Sequence, residues 1–134
     1  MKLSPKKTPF RVSLGTRGEM LACEYLRKQG YQILETNFRC KMGEIDAVAK
    51  KAGRLRFIEI KTRSGPAFGR PEESVHPSKQ KKLTKLAMWY LKEKQIPEIS
   101  ISFDVLAVDW SPVAPPIFKL IEDAFEAAPD GWAI

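Results

Sequence analysis

One histidine, His76, is all the imidazole this chain of 134 residues contains, and Cys23 and Cys40 are its only thiols. Two cysteines so placed make neither a disulfide scaffold nor a zinc site, and reduced thiols in a cytoplasmic protein are the expectation. A Ser–His–Asp hydrolase would need His76, which sits in a proline-rich stretch with no nucleophile motif beside it. No glycine-rich phosphate loop follows a strand. No apolar run reaches the roughly 18 residues that a membrane-spanning helix requires, and Met1 to Arg17 carries cations without the apolar core of a secretory signal. Acidic residues are scarce early in the chain. Residues 1–96 hold 9 Asp/Glu against 22 Lys/Arg, a balance of 22 − 9 = +13, while residues 97–134 hold 7 against 1, or −6. That division argues against an acidic protein that repels nucleic acid and gives a polyanion an electrostatic footprint. A solvated surface with no partner has the same composition.

With 43% hydrophobic and 29% charged residues, the chain has the composition of a globular protein and the length of one domain. Residues 1–13, with Pro5, Pro9 and four basic side chains, read as a flexible basic arm. Residues 14–126 form the single domain, and 127–134 a C-terminal tail. Leu14 to Gln29 has helical periodicity and stops at Gly30. Gly15, Gly18, Glu19, Ala22, Cys23 and Leu26 share its inward face, so Glu19 lies in or beside the stripe that meets the core. Strands are expected at Tyr31–Arg39, Glu44–Lys50 and Arg54–Thr62, the last two joined by a turn at Ala52-Gly53. Residues 64–77 are too rich in glycine and proline for a regular element. A second helix follows at Ser78–Lys94, with Leu83, Leu86, Ala87 and Tyr90 on its apolar stripe. Ile99–Val108 and Ile117–Ile121 are the last strands. The order α-β-β-β-α-β-β predicts an α/β fold, one mixed sheet flanked by helices.

Phe57-Ile58-Glu59-Ile60-Lys61 places Glu59 and Lys61 on one face of an apolar strand, because side chains two apart point the same way. A two-residue turn pairing Lys51 with Arg54 sets a register in which paired numbers sum to 105. Asp46 then lies opposite Glu59 and Glu44 opposite Lys61, while Ile45, Ala47 and Ala49 share the other face with Ile58 and Ile60. A slip of one residue would scatter this group. Facing carboxylates about 5 Å apart at their β-carbons repel unless a proton or cation intervenes. Mg²⁺ or Mn²⁺ suits such oxygen ligands, with the Ile60 carbonyl as a further donor. Lys61 could position water or neutralise phosphate oxygens, Glu19 could hold a metal-bound water, and Lys79 or Gln80 could touch phosphate from the second helix. The plain alternative is a structural ion triad that needs no metal.

Gly15–Leu26, Gly30–Asn37, Gly43–Asp46 (GEID) and Phe57–Arg63 (FIEIKTR) resemble the YraN family of bacterial proteins. So do Val75–Lys79, Ala87–Leu91, Phe103-Asp104-Val105 and Ala124-Phe125, so that the likeness runs in order through residues 14–126. That family is similar to the PD-(D/E)XK nuclease superfamily, in particular to Holliday-junction resolvases. The resemblance implies a restriction-endonuclease-like fold, with Asp46 and Glu59-x-Lys61 as the motif, Glu19 as a contributor and Asp46, Glu59 and Ile60 as metal ligands. It implies a Mg²⁺-dependent endonuclease acting on nucleic acid, DNA of branched or unusual structure foremost. Arg17, Arg63, Lys79, Gln80 and Lys82 are the expected nucleic-acid contacts. Because junction resolvases act as dimers, the resemblance also raises a homodimer. Two departures stand out: Ile45 where the superfamily has proline, and Ser102 where the YraN pattern has arginine. A non-catalytic nucleic-acid-binding module of the same fold and a structural interaction protein are the rival expectations.

Overall fold

A Schellman turn closes the first helix. In the computed structural model, which describes residues 14–63 and 75–128 and the side chains from Gly18 onward, α1 spans Leu14–Lys28. Gly30 takes φ +97°, the Tyr31 N–H donates to Leu26 O at 3.0 Å and the Gly30 N–H to Arg27 O at 3.1 Å. Those two bonds satisfy carbonyls that a helix end otherwise leaves open. The chain then runs through β1 (Gln32–Cys40), β2 (Gly43–Lys51) and β3 (Arg54–Arg63) as an antiparallel meander. Helix α2 (Pro77–Glu93) carries it to β4 (Ile101–Ser111), which lies parallel to β3, and β5 (Ala114–Phe125) returns antiparallel along the edge. A parallel neighbour requires such a crossover, which a hairpin cannot supply. The sheet order is β1-β2-β3-β4-β5, so the α-β-β-β-α-β-β order and the mixed, helix-flanked sheet are those expected.

The sheet separates two apolar clusters. On one face α2 lays Leu83, Leu86, Ala87 and Tyr90 against Phe57, Phe103 and Val105. On the other, Ala22 and Leu26 of α1 meet Ile58, Leu106 and Val108. The central strands are thus covered on both sides, and apolar residues are buried on both of their faces. Helix α2 closes as α1 does, but with Gln95 in the left-handed region at φ +55° and Ile96 N–H donating to Leu91 O at 2.9 Å. Gly18 lets α1 approach the sheet, since a β-carbon there would stand 2.6 Å from Thr62 Oγ1 and 3.2 Å from Trp110 Nε1.

Three features differ from the sequence reading. β5 is 12 residues long and contains Pro115 and Pro116, which an edge strand tolerates because it need not donate outward. Ala127 packs on the α2 side of the core and the Ala128 N–H donates to Thr84 Oγ1 at 3.0 Å, so ordered packing runs past residue 126. Ile45 does not share a face with Ala47 and Ala49. It belongs to the α2-side cluster while they belong to the α1-side cluster. Alternation resets between the Thr36–Ala47 and Phe38–Ile45 pairs, where Asn37 adopts φ +54°. The basic arm at residues 1–13 and the stretch 64–74 lie outside the described residues.

Candidate functional site

Strand β3 alternates as its sequence dictates: Leu55 and Phe57 enter the α2-side core, and Glu59 and Lys61 continue that same face. Glu59 is buried, with 7% of its surface exposed. The β2–β3 pairing runs from Lys51–Arg54 to Ala47–Ile58, every pair summing to 105 as the turn predicts. The ladder ends there. One residue on, the Asp46 carboxylate replaces the next ladder bond: the Ile60 N–H donates to Asp46 Oδ2 at 2.8 Å. This seats Asp46 beside Glu59 by side-chain capture of a backbone group. Glu44 does not meet Lys61. It faces Arg39 across the β1–β2 pair, 3.6 Å from the guanidinium.

A cavity of about 210 Å³ opens here, lined by Glu44, Asp46, Glu59, Lys79, Lys82 and the apolar flank of α2. Burial and the neighbouring Glu59 charge raise the Asp46 carboxyl to about 7, against the pull of the Ile60 N–H; Glu19 and Glu44 add to the rise. Glu59 is held by two cations on one oxygen. The Lys79 ammonium donates to Oε2 at 3.0 Å, and Lys61 Nζ lies 3.5 Å from the same atom. The geometry therefore couples a carboxyl poised to take up a proton with a carboxylate already charge-compensated.

The sequence-derived residues fall into three groups. Asp46, Glu59, Lys61, Lys79 and Lys82 come together at the cavity. Glu19 stands near enough for its charge to reach Asp46, but opens on a separate hollow between α1 and β1, with Met20, Cys23, Arg27, Thr36 and Asn37. Burial and Glu44 raise its carboxyl, and Arg39 lowers it. Two residues are engaged elsewhere. Arg63 makes a forked pair with Asp109 at 2.7 and 3.2 Å, both side chains largely buried. Gln80 donates to Val75 O at 2.9 Å and lines a hollow beside Glu126 to Ala128. The side chain of Arg17 lies outside the described residues. What the structure shows of Ile60 is its N–H toward Asp46.

One polar centre was not among the site residues expected from the sequence. Asp104 is buried on the α1 side and accepts hydrogen bonds from Tyr31 at 2.7 Å, Ser102 at 3.0 Å and the Asp123 N–H at 3.0 Å. Arg56 lies 3.4 Å away. Ser102, which stands in register with Arg56, thus serves this network rather than a surface contact, and Arg56 supplies the local positive charge. The residues come from three strands and the turn before β1, and from positions 31 to 123, a separation that no local pattern reveals.

The donor set at the cavity fits a hard divalent cation. It offers carboxylate oxygen without imidazole or thiolate, and Mg²⁺ takes one or two protein carboxylates with water and phosphate completing its shell. Among the described residues no group of three His, Cys, Asp or Glu is gathered to hold a metal unaided, and none of the helices is long and apolar enough to cross a membrane.

Comparison with known proteins gives the family. A model of "Uncharacterised protein family UPF0102" matches residues 18–108, a span holding Glu19, Asp46, Glu59, Lys61 and Lys79. A UPF0102 protein of Syntrophus aciditrophicus is 41% identical over 114 residues, covering 85% of this chain and 89% of its own. One from Desulforamulus reducens is 49% identical over 100 residues, 73% of this chain and 82% of its own. One from Geobacter sulfurreducens is 43% identical over 116 residues, 86% and 90% of the two chains. With a family model spanning more than half its length and relatives this similar across most of it, the chain belongs to uncharacterised protein family UPF0102, the YraN family.

Proposed function

We propose that the protein is a metal-dependent phosphodiester hydrolase acting on nucleic acid, DNA of branched or unusual structure in the first place. The observation that carries this reading is the pairing of Asp46, whose carboxyl is raised to about 7, with Glu59, buried and clasped by Lys61 and Lys79, at the mouth of a small polar cavity. Two carboxylates and partly exposed lysines at one rim are the groups that phosphoryl chemistry needs. Asp46 and Glu59 would hold Mg²⁺ or Mn²⁺, which when bound lowers the pKa of coordinated water and offsets charge on phosphate oxygens. The Ile60 N–H keeps the Asp46 carboxylate oriented. Lys61 neutralises charge near the reacting phosphate or holds water beside it. Lys79 and Lys82, on α2, face the same opening and bind phosphate oxygens.

A second reading has its own observation. The Glu59–Lys61–Lys79 cluster is charge-compensated as it stands, so the fold could bind nucleic acid without cutting it. The test is a panel of branched, flapped, single-stranded and duplex substrates with Mg²⁺ or Mn²⁺. Cleavage by the native chain, and binding without cleavage by Glu59→Ala and Lys61→Ala, supports the hydrolase. Salt-dependent binding with no cleavage by any of the three supports the binding module, and absence of both leaves the cluster a structural ion network.

A further inference from the structure

Helix α2 carries five lysines against one acidic residue, Glu93, a balance of 5 − 1 = +4. Its inward face is spent on the core through Leu83, Leu86, Ala87 and Tyr90. At 100° per residue, Lys82, Lys85, Trp89 and Lys92 fall within a narrow stripe on the remaining surface. The stripe has a defined start, because Lys82 lines the Asp46–Glu59 cavity. From Lys82 to Lys92 the helix rises about 15 Å. Among the described residues none of Lys82, Lys85 and Lys92 has a carboxylate partner. In their midst Trp89 is 39% exposed, one of four large apolar side chains at the surface among the described residues. Its Nε1 donates to Glu93 Oε1 at 3.0 Å, which satisfies the polar edge of the indole and leaves an apolar surface among cations.

We propose that this stripe is a track for a single-stranded nucleic-acid segment, with an unpaired base stacked on Trp89 and the flanking phosphates on Lys85 and Lys92. A row of cations around an exposed aromatic side chain matches a strand whose bases are free to stack, since every base offers a π-face and the backbone carries regular negative charge. A paired duplex buries its bases in the stack and gives Trp89 nothing to hold. The track rests on the nucleic-acid reading above and narrows its substrate: the strand would reach the cavity through an unpaired stretch, as at a flap, fork or junction arm.

The test uses the full chain in EDTA, so that nothing is cut, with labelled oligothymidylate and a blunt duplex of equal length as probes. Trp89→Ala weakens oligothymidylate by about 5- to 150-fold and leaves duplex binding within about twofold. Trp89→Phe, which keeps an aromatic face, retains most of the affinity. Lys85→Gln and Lys92→Gln each lower the salt slope for the single strand by about 0.7. Melting temperatures close to native certify the fold of each variant. Equal weakening of both probes by Trp89→Ala, or of neither, overturns the track while leaving the hydrolase reading intact. No binding of either probe by the native chain sinks both. Trp89-dependent binding to phosphatidylserine vesicles in place of oligothymidylate would assign the stripe to an anionic membrane surface and also overturn it.

Discussion

Lys79 and Glu59 join α2 to β3: the ammonium stands 3.0 Å from Glu59 Oε2, closer than the 3.5 Å of Lys61 to the same oxygen. A cation that binds Glu59 must compete with that contact. Lys79→Met should therefore tighten Mn²⁺ binding several-fold, read by titration calorimetry or Mn²⁺ electron paramagnetic resonance. The stability cost should stay near 1 kcal/mol or less, because Lys79 is 40% exposed and Lys61 keeps Glu59 compensated. Unchanged Mn²⁺ affinity would show that the contact and the metal do not meet at Glu59.

Asp46 sets a pH dependence. Its carboxyl rises from 3.8 to about 7 in the fold, so the native state holds a proton that the unfolded chain releases. The resulting stability is complete below about pH 4 and is lost as pH rises through about 7. Asp46→Asn keeps an acceptor for the Ile60 N–H but removes the charge. In metal-free buffer the variant should melt above the native chain at about pH 8, and the difference should shrink toward about pH 5. A gap that widens on acidification would contradict the raised carboxyl.

The Asp104 network should be costly to open. Asp104→Ala leaves Tyr31 and Ser102 without their acceptor in the core and Arg56 with only Glu122 and the Lys51 carbonyl among the described residues, a loss of about 3 kcal/mol, the low end for a broken buried pair. Tyr31→Phe removes a single donor and should cost about 1–2 kcal/mol in urea unfolding. If the tyrosine variant is as stable as the native chain, the 2.7 Å bond to Asp104 adds nothing net to stability.

Gly18 marks the close approach of α1. A β-carbon there would press on Thr62 Oγ1 at 2.6 Å and Cγ2 at 3.0 Å, so Gly18→Ala should destabilise by about 1–3 kcal/mol despite the better helix propensity of alanine. Thr62→Ser removes the methyl and lets the hydroxyl rotate away, so the double variant should recover part of the loss. Strict additivity of the two changes would mean that Thr62 is not the obstacle.

Much of the architecture was legible because it rests on local periodicity. Leu83, Leu86, Ala87 and Tyr90 mark α2 by their spacing, and Ala52-Gly53 set a hairpin register that holds from Lys51–Arg54 to Ala47–Ile58. Alternation misplaced Ile45, because it assumes unbroken pleating and one residue in a left-handed conformation, Asn37, marks where that regularity fails. The expected strand Ile117–Ile121 falls short of β5 at both ends, and only the position at the sheet edge shows that Pro115 and Pro116 are tolerated within it.

Sequence alone determined that Glu59 and Lys61 share a face, that Asp46 sits on the neighbouring strand, and that the first 96 residues are strongly basic. Each follows from chain-local geometry or from counting. Tertiary structure decided which charges meet. It turned Arg63 to Asp109 and Gln80 to Val75, closed Lys79 onto Glu59, gathered Tyr31 and Arg56 around Asp104, and left Trp89 exposed on α2. Those outcomes depend on how helices dock on a sheet, and charge pairing is set by distances of a few ångströms between residues far apart in the chain. Periodicity does not encode such distances.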